Sequence, residues 1–219
     1  LNALVRLGWS LDDQTEILSL SDMKRKFTLD RVIKSAAGLD PDKMLSFQSH
    51  WMSELPAKDK LDACLDMLKR ARLIDDETDT ATRTKVSSII ELAADRLRVF
   101  GDIFQLDEFF VADEELRLDE KNFQKRVVKP EHAVTLLHEL RKRFLDVDDF
   151  STQHLHELLQ AFAVEKNVKA GELFPALRLC VTGKAQGADL FRTLELLGKP
   201  CVLRRLDRAI GQAESQRES

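Results

Sequence analysis

Apolar side chains recur at intervals of three and four residues along most of this 219-residue chain. That spacing places them on one face of an amphipathic helix. Helix start signals agree with the pattern: Asp40-Pro41 predicts a helix that ends before Pro56, and Ser19 predicts the cap of a shorter helix. Eight glycines and five prolines supply too few turns for a many-stranded sandwich. The pattern therefore predicts an all-α fold.

The middle of the chain continues as helices separated by charged segments. One helix begins near Ala57, and Thr80 or Thr82 predicts the cap of the next helix, whose apolar stripe reaches Phe100. The connection at 111–128 is rich in charged residues. It predicts a domain boundary, because a segment without a continuous apolar face contributes little to a core.

The last third of the chain carries further helix signals. Pro130 predicts the start of one helix and Ser151 the cap of the next, while Gly183 and Gly198 divide the remainder into three short helices. The polar segment 211–219 is expected to fray. These breaks divide the chain into three helical units, at 1–55, 56–128 and 129–219.

Composition indicates a folded chain, with 43% hydrophobic and 33% charged residues. The formal net charge is −4, yet residues 161–219 carry ten Lys and Arg against seven Asp and Glu. This positive end permits an anionic partner, although a solvated basic helix face would explain it as well. No stretch approaches the roughly 20 apolar residues of a membrane span. The three cysteines form no CxxC pair, so reduced, intracellular thiols are expected.

Motifs for catalysis are missing from the sequence. His138 and His156 each begin a run like HExxH, but neither run contains the second histidine that a zinc protease needs. The TGK run at 182–184 lacks the preceding glycine of a P-loop, and no GxGxxG or GxSxG run occurs. Neither catalysis nor a metal site is expected within these residues.

Two groups of short runs, one at each end of the chain, carry a family resemblance. The first group is LVRLGWS at 4–10, EILSL at 16–20, FTLDRV at 27–32, SAA at 35–37 and DPDKM at 40–44. The second group is FAVEK at 162–166, GELF at 171–174, LR at 177–178, TG at 182–183, LLGK at 196–199 and RRL at 204–206. In order and spacing they resemble bacterial-type glutamyl-tRNA synthetases, with the weakest likeness between about 59 and 129.

The resemblance implies an architecture for the three units. In that family an N-terminal Rossmann-type half carries the HIGH and KMSKS motifs, and a C-terminal helical half holds the tRNA. Neither motif occurs here, so the resemblance implies the helical half alone. Residues 1–55 would be a compact stem-contact unit, and 56–128 and 129–219 would be the two parts of an α-helical cage around the anticodon.

The resemblance also implies cofactors and partners. The parent glutamate–tRNA ligase would attach glutamate to tRNA(Glu) with ATP and Mg in a catalytic domain that precedes this chain. The fragment itself would need no cofactor, would be inactive alone and would form no membrane contact. It is expected to act as a monomer in the cytoplasm, with an organelle left open.

Site residues are implied for the last unit. In the resembling enzymes an arginine at the position of Arg178 lines the anticodon pocket, where its planar fork can bond a base edge; a surface ion pair is the alternative. The bend at 184–189 contains no apolar side chain larger than alanine, which permits close approach to its backbone. The resemblance assigns anticodon contacts to Lys184, Gln186, Gly187, Ala188, Asp189, Leu190 and Phe191. Phe191 either stacks on a base or fills the core.

One position in the middle unit bears on tRNA choice. Some relatives that reject glutamine tRNA carry an arginine where an ungapped alignment places Ala94, and a small shift would bring Arg96 or Arg98 there instead. Alanine has no guanidinium to offer a base. The hypothesis that follows is relaxed reading of the first anticodon base, with tRNA(Gln) as a second partner.

For the first unit, the resemblance implies tRNA stem contacts by Trp9, Lys43, Gln48 and Trp51. A core position is the alternative for both tryptophans. Lys199 and the pair Arg204-Arg205 are candidates for phosphate contacts or, equally, a solvated face. A different class of function is also open: a stand-alone helical scaffold that binds protein partners through its acidic first two thirds and has no tRNA role.

Overall fold

The computed structural model describes residues 1–33, 38 and 40–218. Within these ranges the chain is helical and contains no β-strand, which confirms the all-α prediction. The SAA run at 35–37, one part of the family resemblance, lies outside the described residues. No helix in the described part of the chain is long and apolar enough to cross a bilayer.

The first unit is held by side-chain caps. Its helices are α1 Asn2–Val5, α2 Leu20–Lys26 and α3 Pro41–Glu54. The Ser19 hydroxyl accepts the backbone N–H of Asp22, and the Asp40 carboxylate accepts the N–H groups of Asp42 and Lys43. Both caps confirm the start signals in the sequence, because each satisfies amides that have no partner within the helix.

The middle unit departs from the sequence prediction at both ends of one helix. Its helices are α4 Ala57–Arg70 and α5 Thr80–Ala93, followed by 3₁₀ segments at Ala94–Arg96 and Phe100–Phe109. The α5 cap is Asp79 rather than Thr80 or Thr82, since its carboxylate accepts the Thr82 N–H. The expected continuation to Phe100 is wrong: Ala94 has a φ of 46° and a ψ of −126°, which ends the helix.

The charged connection contains a turn of unusual helix. The short α6, Glu120–Phe123, continues as a π-helix, Gln124–Val128. Because the turn is wider than in an α-helix, backbone carbonyls at its end lack their usual N–H donors. The Arg217 side chain donates to these carbonyls instead. Its guanidinium donates to the carbonyl oxygens of Val127, at 3.0 Å, and Val128, at 2.7 Å.

The third unit consists of five helices: α7 Ala133–Asp146, α8 Thr152–Glu165, α9 Ala170–Thr182, α10 Leu190–Leu197 and α11 Lys199–Glu218. Ser151 caps α8 and Gly183 and Gly198 interrupt the chain, as predicted. The expectation that 211–219 frays is wrong for its described part, because α11 is a helix of 20 residues. Ala213 is fully buried near its end and Arg217 anchors the last turn.

Three hydrophobic clusters form the interior. Trp9, Leu18 and Met23 form a small one, residues between Cys64 and Phe109 form a second, and residues between Phe123 and Ala213 form the largest. The second cluster also takes in Ala188 from the third unit, with Leu196 and Leu197 packed against it. The clusters follow the order of the three units, whose boundaries stay a prediction.

Candidate nucleic-acid interface

A groove of about 650 Å³ lies where the middle and third units meet. We call it the interunit groove. One wall is the 3₁₀ segments after α5, which contribute Arg96, Phe104 and Gln105, and the other is the bend that follows α9, which contributes Lys184, Gln186 and Gly187. Four residues predicted to contact the anticodon, Arg96, Lys184, Gln186 and Gly187, therefore line one cavity although they are far apart in sequence.

The bend begins at a glycine that no other residue could replace without movement. Gly183 has a φ of +75°, the left-handed conformation that ends α9. A Cβ built there would lie 2.1 Å from the backbone oxygen of Arg117, and the Gly183 carbonyl accepts the Asp119 N–H at 2.8 Å. The start of the bend is therefore packed directly against the backbone at 117–119.

Lys184 connects the bend to the opposite wall. Its ammonium donates to the Gln105 carbonyl at 2.5 Å, to the Asp107 carboxylate and to Glu108 Oε2 at 2.5 Å. Glu108 is only 3% exposed, so this ammonium neutralises a buried carboxylate. The Lys184 side chain is thus engaged within the protein, and only the backbone of this residue is left to meet a ligand.

Arg178 lies beneath the bend. Its side chain is half-buried on α9, and its Nη1 would be 2.9 Å from a Cβ added at Gly187. Burial lowers the pKa of Arg178 and nearby Arg96 acts in the same direction, while Asp189 and Glu108 oppose them. Among the described residues no hydrogen bond to its guanidinium is formed. Since an arginine stays charged, the bend covers a cation whose donors are unpaired among the described residues, next to the Gly187 backbone that lines the groove.

The residues after Gly187 turn inward. Ala188 is 7% exposed and belongs to the middle unit's core, and Leu190 is 4% exposed in the core of the third unit. The Asp189 carboxylate caps α10 by accepting the Arg192 N–H at 2.8 Å. The acidic side chain expected near phosphates is therefore a helix cap, and the side chains of these three residues do not line the groove.

Phe191 is held among other rings. Its ring meets His156 edge-on at 4.7 Å and Phe174 at 5.5 Å between centroids, and it packs against the largest core cluster. The sequence left open whether Phe191 stacks on a base or fills the core, and these contacts are those of a residue that fills the core.

The two candidate positions after α5 face different grooves. Arg96 is exposed and lines the interunit groove. Ala94 is also exposed but lines a separate groove of about 630 Å³ together with Ser49, Lys60 and Arg98. The backbone reversal at Ala94 causes this separation, since residues on either side of it no longer share a helix face.

Of the four residues assigned to stem contact, Trp9 is 3% exposed in the smallest core cluster, and Lys43 pairs with Glu16 at 2.6 Å. Gln48, which is exposed, and half-buried Trp51 line a shallow groove of about 360 Å³ against α1. The structure thus brings Gln48 and Trp51 together and assigns Trp9 to the core.

The basic residues of α11 are largely neutralised inside the protein. Arg205 is 3% exposed and donates to Asp113 at 2.6 Å, and Arg204 bonds the other oxygen of the same carboxylate. Burial would raise the pKa of Asp113, but hydrogen bonds from Cys201 and the two arginines hold it below its usual value. Lys199 donates to two carbonyls at the end of α7. Arg204, Arg205 and Lys199 are therefore engaged by acceptors of the protein itself.

One wall of the interunit groove was not foreseen from the sequence. Phe104, 37% exposed, lies on this wall, as do Gln105 and buried Glu108. From sequence alone, the aromatic residues Phe104, Phe109 and Phe110 predict a cover for the end of the preceding helix, not a groove wall. A charged residue within that apolar run, Glu108, was the available signal, because a carboxylate there needs a cationic partner.

A family model described as an anticodon binding domain matches residues 54–210. The chain belongs to this family. The match includes both walls of the interunit groove and nearly all of the middle and third units. This match favours the interpretation of the chain as part of a tRNA ligase over its interpretation as a stand-alone scaffold.

Similar proteins extend the likeness to the first unit. The glutamate–tRNA ligase of Roseiflexus castenholzii is 34% identical over 209 residues, which cover 95% of this chain and 41% of the relative. That of Moorella thermoacetica is 32% identical over 209 residues, 95% of this chain and 42% of the relative. The crystal structure of a glutamate tRNA ligase from Elizabethkingia meningosepticum superposes with a TM-score of 0.81 at 26% identity, covering 96% of this chain and 40% of that one.

This anticodon-binding-domain chain therefore spans about two fifths of the length of the relatives it matches. The matches confirm the resemblance to glutamyl-tRNA synthetases that the terminal sequence runs indicated.

Proposed function

We propose that this chain is the tRNA-holding part of a glutamate–tRNA ligase and that the interunit groove receives unpaired anticodon bases. The observation that carries the proposal is that Arg96 and the Gly187 backbone line one groove between two units, while the Arg178 guanidinium lies against Gly187. Arg178 has donors without a hydrogen-bond partner among the described residues, in a half-buried setting where a base edge can reach them.

The chemistry of the groove suits single-stranded bases. An unpaired base presents a flat face for stacking and an edge for hydrogen bonds. The partly exposed ring of Phe104 offers a stacking face, an interaction worth roughly 1–3 kcal/mol per base. A guanidinium that bonds a base edge with two donors adds discrimination of about 1–3 kcal/mol, by analogy with readout in DNA grooves.

The finer parts of the proposal concern the parent enzyme. Glutamate activation with ATP and Mg would belong to its catalytic part, and this chain would supply affinity and tRNA identity in the cytoplasm as a monomer. The partner would be tRNA(Glu). Ala94 lies outside the interunit groove and Arg96 lines it, so Arg96 is the residue we assign to the first anticodon base.

Arg178→Ala tests the main proposal. Binding of transcribed tRNA(Glu) would be measured at several salt concentrations, since phosphate contacts weaken as salt rises. The variant should lose about tenfold in affinity for tRNA(Glu), with less effect on an unrelated tRNA. Arg70→Ala is the matched control, because Arg70 is 78% exposed on α4 and its ion pair within the described chain is with Asp66. An equal loss for both tRNAs would show that Arg178 contacts phosphate alone, and no loss would refute the assignment.

A second comparison tests tRNA choice. Relaxed reading means that Arg96 contacts the first anticodon base without discriminating between bases there. In that case tRNA(Glu) and tRNA(Gln) should bind the unmodified protein with comparable affinity, and Arg96→Ala should weaken both. Strict rejection of tRNA(Gln) by the unmodified protein, lost in Arg96→Ala, would contradict relaxed reading and show that Arg96 is the discriminating residue.

A further inference from the structure

A second cavity, of about 350 Å³, lies between the end of the middle unit and the third unit and shares no lining residue with the interunit groove. We call it the π-turn cavity, because the π-helix Gln124–Val128 forms one side of it, and the starts of α7 and α9 form the others. Its volume is at the lower end of the range for small-molecule sites. A π-helix is rare and is frequently found at functional sites.

The floor of the π-turn cavity is apolar. Leu137, Leu173 and Ala176 line it, and each is at most 5% exposed. Leu136 and Val168 extend this surface toward the opening. An apolar floor inside a concave site favours a ligand with a hydrocarbon body, since entry removes both surfaces from water.

The rim of the same cavity carries two cationic side chains and one carboxylate. Lys125 and Arg126 stand on it together with His132, and Glu172 is the acidic residue among those that line it. Among the described residues the buried Nε of Arg126 has no hydrogen-bond partner. Buried polar atoms are nearly always paired, so an unpaired guanidinium beside a cavity with an apolar floor is where an acceptor from a ligand would fit.

We propose that the π-turn cavity binds a small amphipathic anion, an aryl or alkyl carboxylate. Its head accepts hydrogen bonds from Arg126 and its hydrocarbon body lies on Leu137, Leu173 and Ala176. The volume limits the body to about ten carbon atoms. The site is independent of the tRNA-binding proposal, because none of its residues lines the interunit groove.

The probe is 1-naphthoate, whose fused rings match the floor and whose single carboxylate matches the rim. Titration calorimetry and ligand-observed NMR on the whole chain should give a Kd of about 1 mM or tighter. The neutral analogue 1-naphthalenemethanol should bind at least about tenfold more weakly, because it lacks the charge-assisted hydrogen bond. Equal binding of the two compounds would overturn the assignment of Arg126 to the head.

Variants separate the two halves of the site. Arg126→Ala should weaken 1-naphthoate about tenfold, and Ala176→Phe should abolish binding by filling the floor. Glu172→Gln should tighten it, since the one opposing charge on the rim is removed. This gain is a readout that misfolding cannot imitate. Arg25→Ala, which removes a 73% exposed arginine on α2, is the control and should change nothing.

Other outcomes would overturn the proposal. One is that 1-naphthoate fails to bind the unmodified protein at millimolar concentration. Another is that Arg126→Ala leaves 1-naphthoate binding unchanged but lowers affinity for tRNA, which would make the rim part of the RNA interface. Because Arg178→Ala should leave 1-naphthoate binding intact, failure of the tRNA proposal and failure of this one are distinguishable.

Discussion

Replacing Gly183 by alanine should destabilise the protein more than any other glycine substitution considered from its geometry. The added Cβ would lie 2.1 Å from the Arg117 carbonyl oxygen, which belongs to the backbone and has no side-chain freedom with which to retreat. The φ of +75° at this position is a second cost, because side chains other than glycine rarely adopt it.

The magnitude follows from the contacts at this position. The left-handed conformation costs an alanine roughly 1 kcal/mol or more. Relieving the clash requires the 117–119 segment to move away from α9, which breaks the 2.8 Å bond from the Asp119 N–H to the Gly183 carbonyl, worth about 1 kcal/mol. With the strain of forced repacking included, Gly183→Ala should lower the free energy of unfolding by about 3–5 kcal/mol.

Urea denaturation followed by circular dichroism measures the loss. Gly211→Ala is the matched control: Gly211 lies within α11, and no described atom beyond its own stretch of helix is within 4 Å of its added Cβ. It should gain up to about 1 kcal/mol, since alanine is the better helix former. A Gly183→Ala variant within about 1 kcal/mol of the unmodified protein, alongside a normal control, would refute the close contact with the 117–119 backbone.

Three further perturbations test the groove and its supports. Lys184→Met leaves the Glu108 carboxylate buried without its ammonium and should lower the free energy of unfolding by about 3 kcal/mol, measured by urea denaturation. Gly187→Ala has no positive φ to strain and meets only the flexible end of Arg178, so stability should change by under about 0.5 kcal/mol while affinity for tRNA(Glu) falls about tenfold. The carboxylate of Asp113 has a lowered pKa. The stabilisation that the ionised carboxylate gives the folded protein is therefore present above about pH 4 and is lost as pH falls through that lowered pKa. Asp113→Asn should show a smaller loss of stability between about pH 5 and about pH 2.5 than the unmodified protein.

Each of these has a check of its own. Adding Glu108→Gln to Lys184→Met should restore stability, because the buried charge is then absent. If stability does not recover, the loss in Lys184→Met has another origin. For Gly187→Ala, unchanged affinity for tRNA(Glu) would argue against a base at the bend. For Asp113→Asn, a pH profile parallel to that of the unmodified protein would show that other carboxylates dominate acid unfolding.

Helix starts were the part of the fold that local chemistry could predict. Ser19, Asp40 and Ser151 each cap a helix in the structure as the sequence indicated. A cap depends on one side chain and the amides within three residues of it, so it needs no knowledge of the tertiary structure. The same holds for Gly183, whose left-handed conformation ends α9.

What the sequence could not predict depends on distant partners. The stripe from Val86 to Phe100 has helical spacing, yet α5 ends at Ala93, where Ala94 reverses the backbone, and the 3₁₀ segment Phe100–Phe109 then packs against α4. The polar end of α11 looked free, but its Arg217 bonds carbonyls about ninety positions away. A single sequence does not show which distant residues its charged side chains will pair with.

The candidate site divides in the same way. The resemblance pointed to Arg178 and the bend, and the structure places Arg178 beneath Gly187. It gave no reason to expect that the Lys184 ammonium would be bound by the opposite wall or that Asp189 would cap α10. The Lys184 contacts arise from packing between units, which short sequence runs do not encode, whereas the Asp189 cap is local and depends only on the Arg192 amide three residues later.

Ala188 lies in the hydrophobic interior of the middle unit although its chain neighbours belong to the third. An excised third unit would keep every residue of the bend but would expose Ala188, Leu196 and Leu197 to water and leave the Lys184 ammonium without its carboxylates. Binding of unpaired bases in the interunit groove would then require both the middle and the third unit, and neither unit could do it alone. Insertions or truncations that separate the two halves should abolish it even when each half stays helical.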